Sequence, residues 1–133
     1  MVKIVYSING EGMGHATRSV ALIEELRKKH NVLVIAGSSR IYPHIKSIHP
    51  KTKMYEGIRM TYKDDKVDDY ETLKKYVMWI AKESPSSIKK IYRIYKSYKP
   101  DILITDFEGT TTYIAKIIDI PIICICNVHA MTH

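Results

Sequence analysis

His15, Asp106 and Glu108 are of types that move protons, and the first of them closes a loop suited to holding a ligand. His15 ends the run Gly10-Glu11-Gly12-Met13-Gly14-His15, which continues into Ala16-Thr17-Arg18. Glycines at alternate positions leave a backbone that a ligand can approach closely. The helix expected after the loop presents unpaired N–H groups and the positive end of a dipole, which suits an anion. An imidazole placed there becomes a general base when a carboxylate bonds one ring nitrogen. The carboxylate fixes the tautomer and stabilises the imidazolium, and the other nitrogen takes a proton from a hydroxyl. Asp106 and Glu108, at the exit of a later apolar run, are the carboxylates in question. Arg18, one turn into the helix, is placed to reach an anion at Gly12–Gly14. Thr110, Thr111 and Thr112 open another helix near the same rim, where they bind a ligand or cap that helix. A plainer reading stays open on the residues alone. Glycine turns also serve tight geometry, Asp106 then caps the turn after it, and His15 caps its own helix.

Standard nucleotide loops do not fit. The dinucleotide fingerprint needs its third glycine three positions after the second, whereas Gly14 follows Gly12 by two. Its second strand should end in an acid that holds the ribose, but Val32-Leu33-Val34-Ile35-Ala36-Gly37-Ser38-Ser39-Arg40 has none. No Gly-Lys-Ser/Thr follows the glycines, so a P-loop is excluded as well. Cys124-x-Cys126-x-x-His129-x-x-x-His133 offers four soft ligands but lacks the two-residue gap between cysteines of a structural zinc site. The expectation is no metal and no cofactor, with the cysteines buried in a strand.

Positioning these groups falls to alternating strands and helices. Val2 to Ile8 is an apolar strand covered on both faces, as in a parallel sheet. A helix from Ala16 to Lys29 follows, with Ala16, Val20 and Ile23 on its inner stripe. Strand two is Asn31 to Ala36, and a short helix runs from Arg40 to Ile48, with Pro43 in its first turn. Short strands are expected near residues 52–55 and 58–62, then a solvated turn at 63–66 and a helix over 69–82. Ser84-Pro85 starts a helix that ends at Tyr98, before Pro100. A strand at 101–106, a helix at 110–118 and a strand at 120–126 complete the pattern. The fold class is α/β: a doubly wound parallel sheet with right-handed crossovers, Rossmann-like, in one domain over residues 1–133. In such sheets ligands collect beyond the carboxyl ends of the strands where the strand order reverses. If strand one and the 101–106 strand are neighbours there, His15 lies near Asp106 and Glu108.

The formal charge of +7 permits partners bearing phosphates. The helix Ile88-Lys89-Lys90-Ile91-Tyr92-Arg93-Ile94-Tyr95-Lys96-Ser97-Tyr98-Lys99 either packs its Ile and Tyr positions in the core, with lysines reaching water, or lies on an anionic membrane surface. Nucleic-acid binding ranks below both, resting on charge and that helix alone. Met1 leads straight into a strand without a signal-peptide pattern, and no apolar run approaches the ~18 residues that span a bilayer. A reducing, cytoplasmic setting is expected.

Gly10-Glu11-Gly12-Met13-Gly14-His15-Ala16-Thr17-Arg18 resembles the N-terminal glycine-rich loop of GT-B glycosyltransferases, and is most similar to the MurG-like group (glycosyltransferase family 28) and its archaeal relatives. Lys99-Pro100-Asp101-Ile102-Leu103-Ile104-Thr105-Asp106 resembles the later Pro-Asp strand of the same domain, and Ile120-Pro121-Ile122 into Asn127 also matches. The resemblance implies an N-terminal, acceptor-binding Rossmann-like domain, with His15 as base and Asp106 as its orienting partner. It places the loop residues Gly10 to Gly14, with Arg18, against the substrate, the acceptor's phosphate in particular; Glu108 and Thr110 stand at the rim. It implies a nucleotide-sugar donor, a UDP-sugar, and an acceptor that is lipid-linked or phosphorylated, with no metal at the transfer step. A donor-binding domain would come from further polypeptide or a separate subunit, and the chain alone should be inactive. A non-catalytic module that recruits a partner to an anionic membrane is the competing expectation.

Overall fold

The computed structural model describes residues 1–10, 13–55, 62–63, 66–67, 74, 84–106 and 108–125. In chain order the elements are β1 (Lys3–Ile8), α1 (Met13–Arg27), β2 (Asn31–Ala36), α2 (Tyr42–Ile48), β3 (Lys53–Met54), β4 (Tyr62–Lys63), β5 (Lys66–Val67), α3 (Ser84–Tyr98), β6 (Ile102–Asp106), α4 (Gly109–Ile117) and β7 (Ile122–Cys124). Among the described residues, five strands form one sheet in the order β3-β2-β1-β6-β7, with every pair parallel. β4 and β5 pair antiparallel, Lys63 opposite Lys66; Asp64 and Asp65 of the expected turn lie outside the described residues.

The sheet is doubly wound because its strands are apolar on both faces. Ile4, Tyr6 and Ile8 of β1 pack with Ala16 and Ile23 of α1 and with Ile41 and Ile45 around α2. Val5, pointing the other way, packs with Leu33, Ile35 and Leu103 against Ile91 and Tyr95 of α3 and Ile114 and Ala115 of α4. Alternation within one strand therefore feeds two cores. Burial settles how α3 is oriented. Ile91 is 0% and Tyr95 2% exposed, whereas Lys89, Lys90, Arg93 and Lys96 face solvent. Burying one such apolar side chain is worth ~1.5–3 kcal/mol, enough to seat this helix on the sheet. Tyr92 is the exception, 42% exposed with the Lys96 ammonium 5.5 Å from its ring centre.

β1 sits between β2 and β6, and Ile8 stands opposite Asp106 in the ladder. The chain moves outward from β1 to β2 and β3, then returns to β6 on the other side, so the strand order reverses between β1 and β6. Several boundaries differ from the sequence expectation, three of them around the site or the sheet edge. α1 begins at Met13 and runs over Gly14, which puts His15 inside its first turn. β7 is shorter than 120–126, and Cys124 on this edge strand is exposed rather than buried. α4 begins at Gly109, one residue before the threonines. The expected helix over 69–82, apart from Lys74, and the residues Cys126, His129 and His133 lie outside the described residues, as do Glu11 and Gly12.

Candidate active site at the strand exits

The exits of β1, β2 and β6 meet through their backbones. Asn9 N donates to Asp106 O at 3.1 Å, and Gly37 N donates to Ile8 O at 2.9 Å. The Ser38 hydroxyl donates to Gly10 O at 3.2 Å. A Cβ on Gly10 would lie 2.6 Å from Ser38 Cβ, and one on Gly37 would lie 2.9 Å from Ile8 O. These two glycines exist for close approach; among the described glycines none has positive φ. Gly14 differs, because a Cβ there would meet nothing within 4 Å among the described residues.

Asp106 ends β6 with its side chain turned to α1. It is 0% exposed and collects three side-chain partners from one helix. Arg18 Nη2 donates to Oδ1 at 2.6 Å, His15 Nδ1 lies 2.9 Å from the same oxygen, and the Ser19 hydroxyl donates to Oδ2 at 2.9 Å. Residues three and four apart share a helix face, which is why His15, Arg18 and Ser19 converge on a single carboxylate. A buried carboxylate without such partners would be costly. Arg18 Nη2 is also 3.4 Å from His15 Nδ1. The shorter contact, to a charged oxygen, makes Nδ1–H the donor to Asp106. His15 and Arg18 side chains remain 32% and 40% exposed, so the buried acid presents its two partners at the surface. Tyr6 lies beneath. Its hydroxyl comes near Ser19 without reaching hydrogen-bond geometry, and burial first, then the Asp106 charge, push its pKa up.

Glu108 stands apart from this cluster. It is the N-cap of α4: Thr110 N donates to Oε1 at 3.3 Å, and Thr111 N and the Thr111 hydroxyl reach Oε2 at 2.9 and 2.7 Å. The carboxylate thus satisfies the helix end that the threonines were expected to cap, and Thr110 contributes a backbone donor. The Thr111 hydroxyl also touches the Ser7 hydroxyl at 2.8 Å, joining α4 to β1. Tyr55 lies nearby with a buried, unpartnered hydroxyl; burial, then the Glu108 charge, push its pKa well up.

The structure therefore brings His15, Arg18 and Asp106 together and leaves Glu108 and Thr110 at the neighbouring helix end. Among the described residues Asp106 caps no turn; its side chain faces α1. Ser19 escaped the sequence reading, although it falls four residues after His15 on the stripe of Ala16 and Ile23. Among the described residues no cluster of three or more His, Cys, Asp or Glu side chains could hold a metal ion. Among them, too, no helix is long and apolar enough to cross a membrane.

Among curated proteins, none matches this sequence. Solved structures do match. SsfS6, a glycosyltransferase of Streptomyces sp. SF2575, has a TM-score of 0.63 at 17% identity, covering 95% of this chain and 39% of that one. MurG of Acinetobacter baumannii has a TM-score of 0.60 at 13% identity, covering 94% and 34%. A UDP-glucosyltransferase of Polygonum tinctorium capable of glucosylating indoxyl has 0.60 at 16%, covering 94% and 29%. The chain thus spans 29–39% of the length of these structures. The likeness establishes the fold: the Rossmann-like sheet of GT-B glycosyltransferases. The family model described as Glycosyl transferase family 1 matches residues 2–133. Through that match over nearly its whole length, this chain belongs to glycosyl transferase family 1.

Proposed function

We propose that this chain is the acceptor-binding part of a glycosyltransferase that moves a sugar from a nucleotide-sugar donor to an acceptor hydroxyl. The observation that carries the reading is the 2.9 Å contact between His15 Nδ1 and Asp106 Oδ1 at the reversal of strand order. With Nδ1 turned to Asp106, Nε2 takes the acceptor's hydroxyl proton. The acceptor oxygen then attacks the anomeric carbon, the anomeric C–O bond to the nucleoside diphosphate breaks, and the diphosphate leaves with the electron pair. Asp106 orients the ring and stabilises the imidazolium, which afterwards gives its proton to water. Arg18, exposed beside the base, and the Gly10–Gly14 loop receive a phosphate on the acceptor, lipid-linked or free. The open space over Gly14 supports a close approach there. Glu108 and Thr110 shape the far rim.

The structure of SsfS6 in complex with thymidine diphosphate and the UDP-glucosyltransferase likeness make a nucleotide diphosphate sugar the donor class to test, a UDP-sugar first. Its binding half is supplied by further polypeptide, in the same chain or a separate subunit, so residues 1–133 alone are expected to be inactive. Transfer by the chain together with its donor half tests the reading. His15→Ala should lower turnover by ~10²–10⁴-fold with donor affinity unchanged; unaltered turnover would end the base assignment.

One further observation favours contact with an anionic membrane on the cytoplasmic face. Lys89, Lys90, Arg93 and Lys96 share the solvent side of α3 with exposed Tyr92. Such a face is worth ~1 kcal/mol per basic residue near anionic lipid. Co-sedimentation with phosphatidylserine vesicles should fall as salt rises; no binding at low salt would remove this role.

A further inference from the structure

We propose that Ser19 is a positioning residue: by donating to Asp106 Oδ2 it keeps Oδ1 turned to His15 and so fixes which ring nitrogen carries the proton. The inference rests on reading His15 and Asp106 as a pair, and it adds a residue to which the glycine-loop resemblance gave no role. The terminal torsion of an aspartate is soft. A guanidinium beside a carboxylate prefers two parallel bonds, one to each oxygen. Of the two Asp106 oxygens Arg18 nevertheless bonds Oδ1, at 2.6 Å, and shares it with His15. The other oxygen is occupied by the Ser19 hydroxyl at 2.9 Å.

Ser19 and Asp106 are both 0% exposed, so water does not compete for this bond. Without the hydroxyl, the carboxylate is free to rotate and accept both guanidinium nitrogens. His15 then loses its partner to the more strongly charged neighbour. Arg18 Nη2, already 3.4 Å from Nδ1, is positioned to donate to the ring and favour the opposite tautomer. Ser19 thus holds the balance between two donors that compete for one acid.

The test is nitrogen-15 NMR of the His15 ring in the chain itself at mildly alkaline pH, so it needs neither donor nor acceptor. The wild type should carry its proton on Nδ1. Ser19→Ala should lower the ratio of the Nδ1–H to the Nε2–H form by about tenfold, the worth of one charge-assisted hydrogen bond. Tyr6→Phe removes the adjacent unpartnered hydroxyl and should leave the ratio unchanged. A folded Ser19→Ala protein with the wild-type ratio would overturn the proposal. So would a Tyr6→Phe protein shifted as far as Ser19→Ala, because general polarity would then explain the change. A wild type already protonated on Nε2 would instead end the His15–Asp106 reading itself.

Discussion

Removing Asp106 should reverse the sign of what Ser19 does for stability. Ser19→Ala alone deletes one donor to a buried carboxylate that keeps two others, costing ~1–2 kcal/mol. Asp106→Ala deletes three bonds, but their costs differ. The Arg18 and His15 side chains, 40% and 32% exposed, can turn to water and lose little. Ser19, at 0%, cannot, and an orphaned buried hydroxyl costs ~1–3 kcal/mol. With the cavity added, Asp106→Ala should cost ~2–4 kcal/mol, within the ~5–15 kcal/mol of an ordinary domain. In that background Ser19→Ala has no bond to lose and removes the orphan, so it should be neutral or stabilise by up to ~1 kcal/mol. The coupling is then ~2 kcal/mol. Urea unfolding of the four proteins measures it: with a slope of ~1–3 kcal/mol per molar, midpoints should depart from additivity by about 1 M. Equal costs of Ser19→Ala in both backgrounds would refute the argument.

Two glycines should respond oppositely. Gly10→Ala places a methyl 2.6 Å from Ser38 and should cost ~1–3 kcal/mol, whereas Gly14→Ala meets nothing among the described residues and should leave stability unchanged or raise it by up to ~1 kcal/mol, read as the thermal midpoint. Should Gly14→Ala also abolish transfer, the open space is ligand space. Glu108→Ala should lower stability by ~1–2 kcal/mol through the lost cap of α4, read as a urea midpoint shift. His49 gives a pH dependence: burial, then Arg27, which bonds Nδ1, hold its pKa below 6.5. The unfolded chain therefore binds more protons at mildly acid pH, so this contribution is complete above 6.5 and is lost as pH falls below it. The wild type should lose more stability on acidification than His49→Asn does; equal losses would refute this.

Much of the sheet was legible because its strands are long apolar runs: β2 falls on Asn31–Ala36 and β1 begins within a residue of expectation. Ser84-Pro85 marked the start of α3, which begins at Ser84. The start of α1 was less legible. Glycines read as loop, yet the helix begins at Met13 because packing against β1 and β2 outweighs the poor propensity of Gly14. At α4 three threonines looked like the caps, but only the longer glutamate side chain reaches two backbone donors at once. Ser19 was hidden for a simpler reason: a lone serine on an apolar stripe carries no pattern until the acid that it serves is brought opposite by the β1–β6 pairing. Cys124 was misplaced because an apolar run does not reveal that its strand lies at an edge.

The most direct measurement is which ring nitrogen of His15 carries the proton in the unaltered protein. The expected result is Nδ1–H, bonded to Asp106 Oδ1 at 2.9 Å, with Nε2 turned to the acceptor. A proton found on Nε2, with Nδ1 accepting from Arg18, would contradict it.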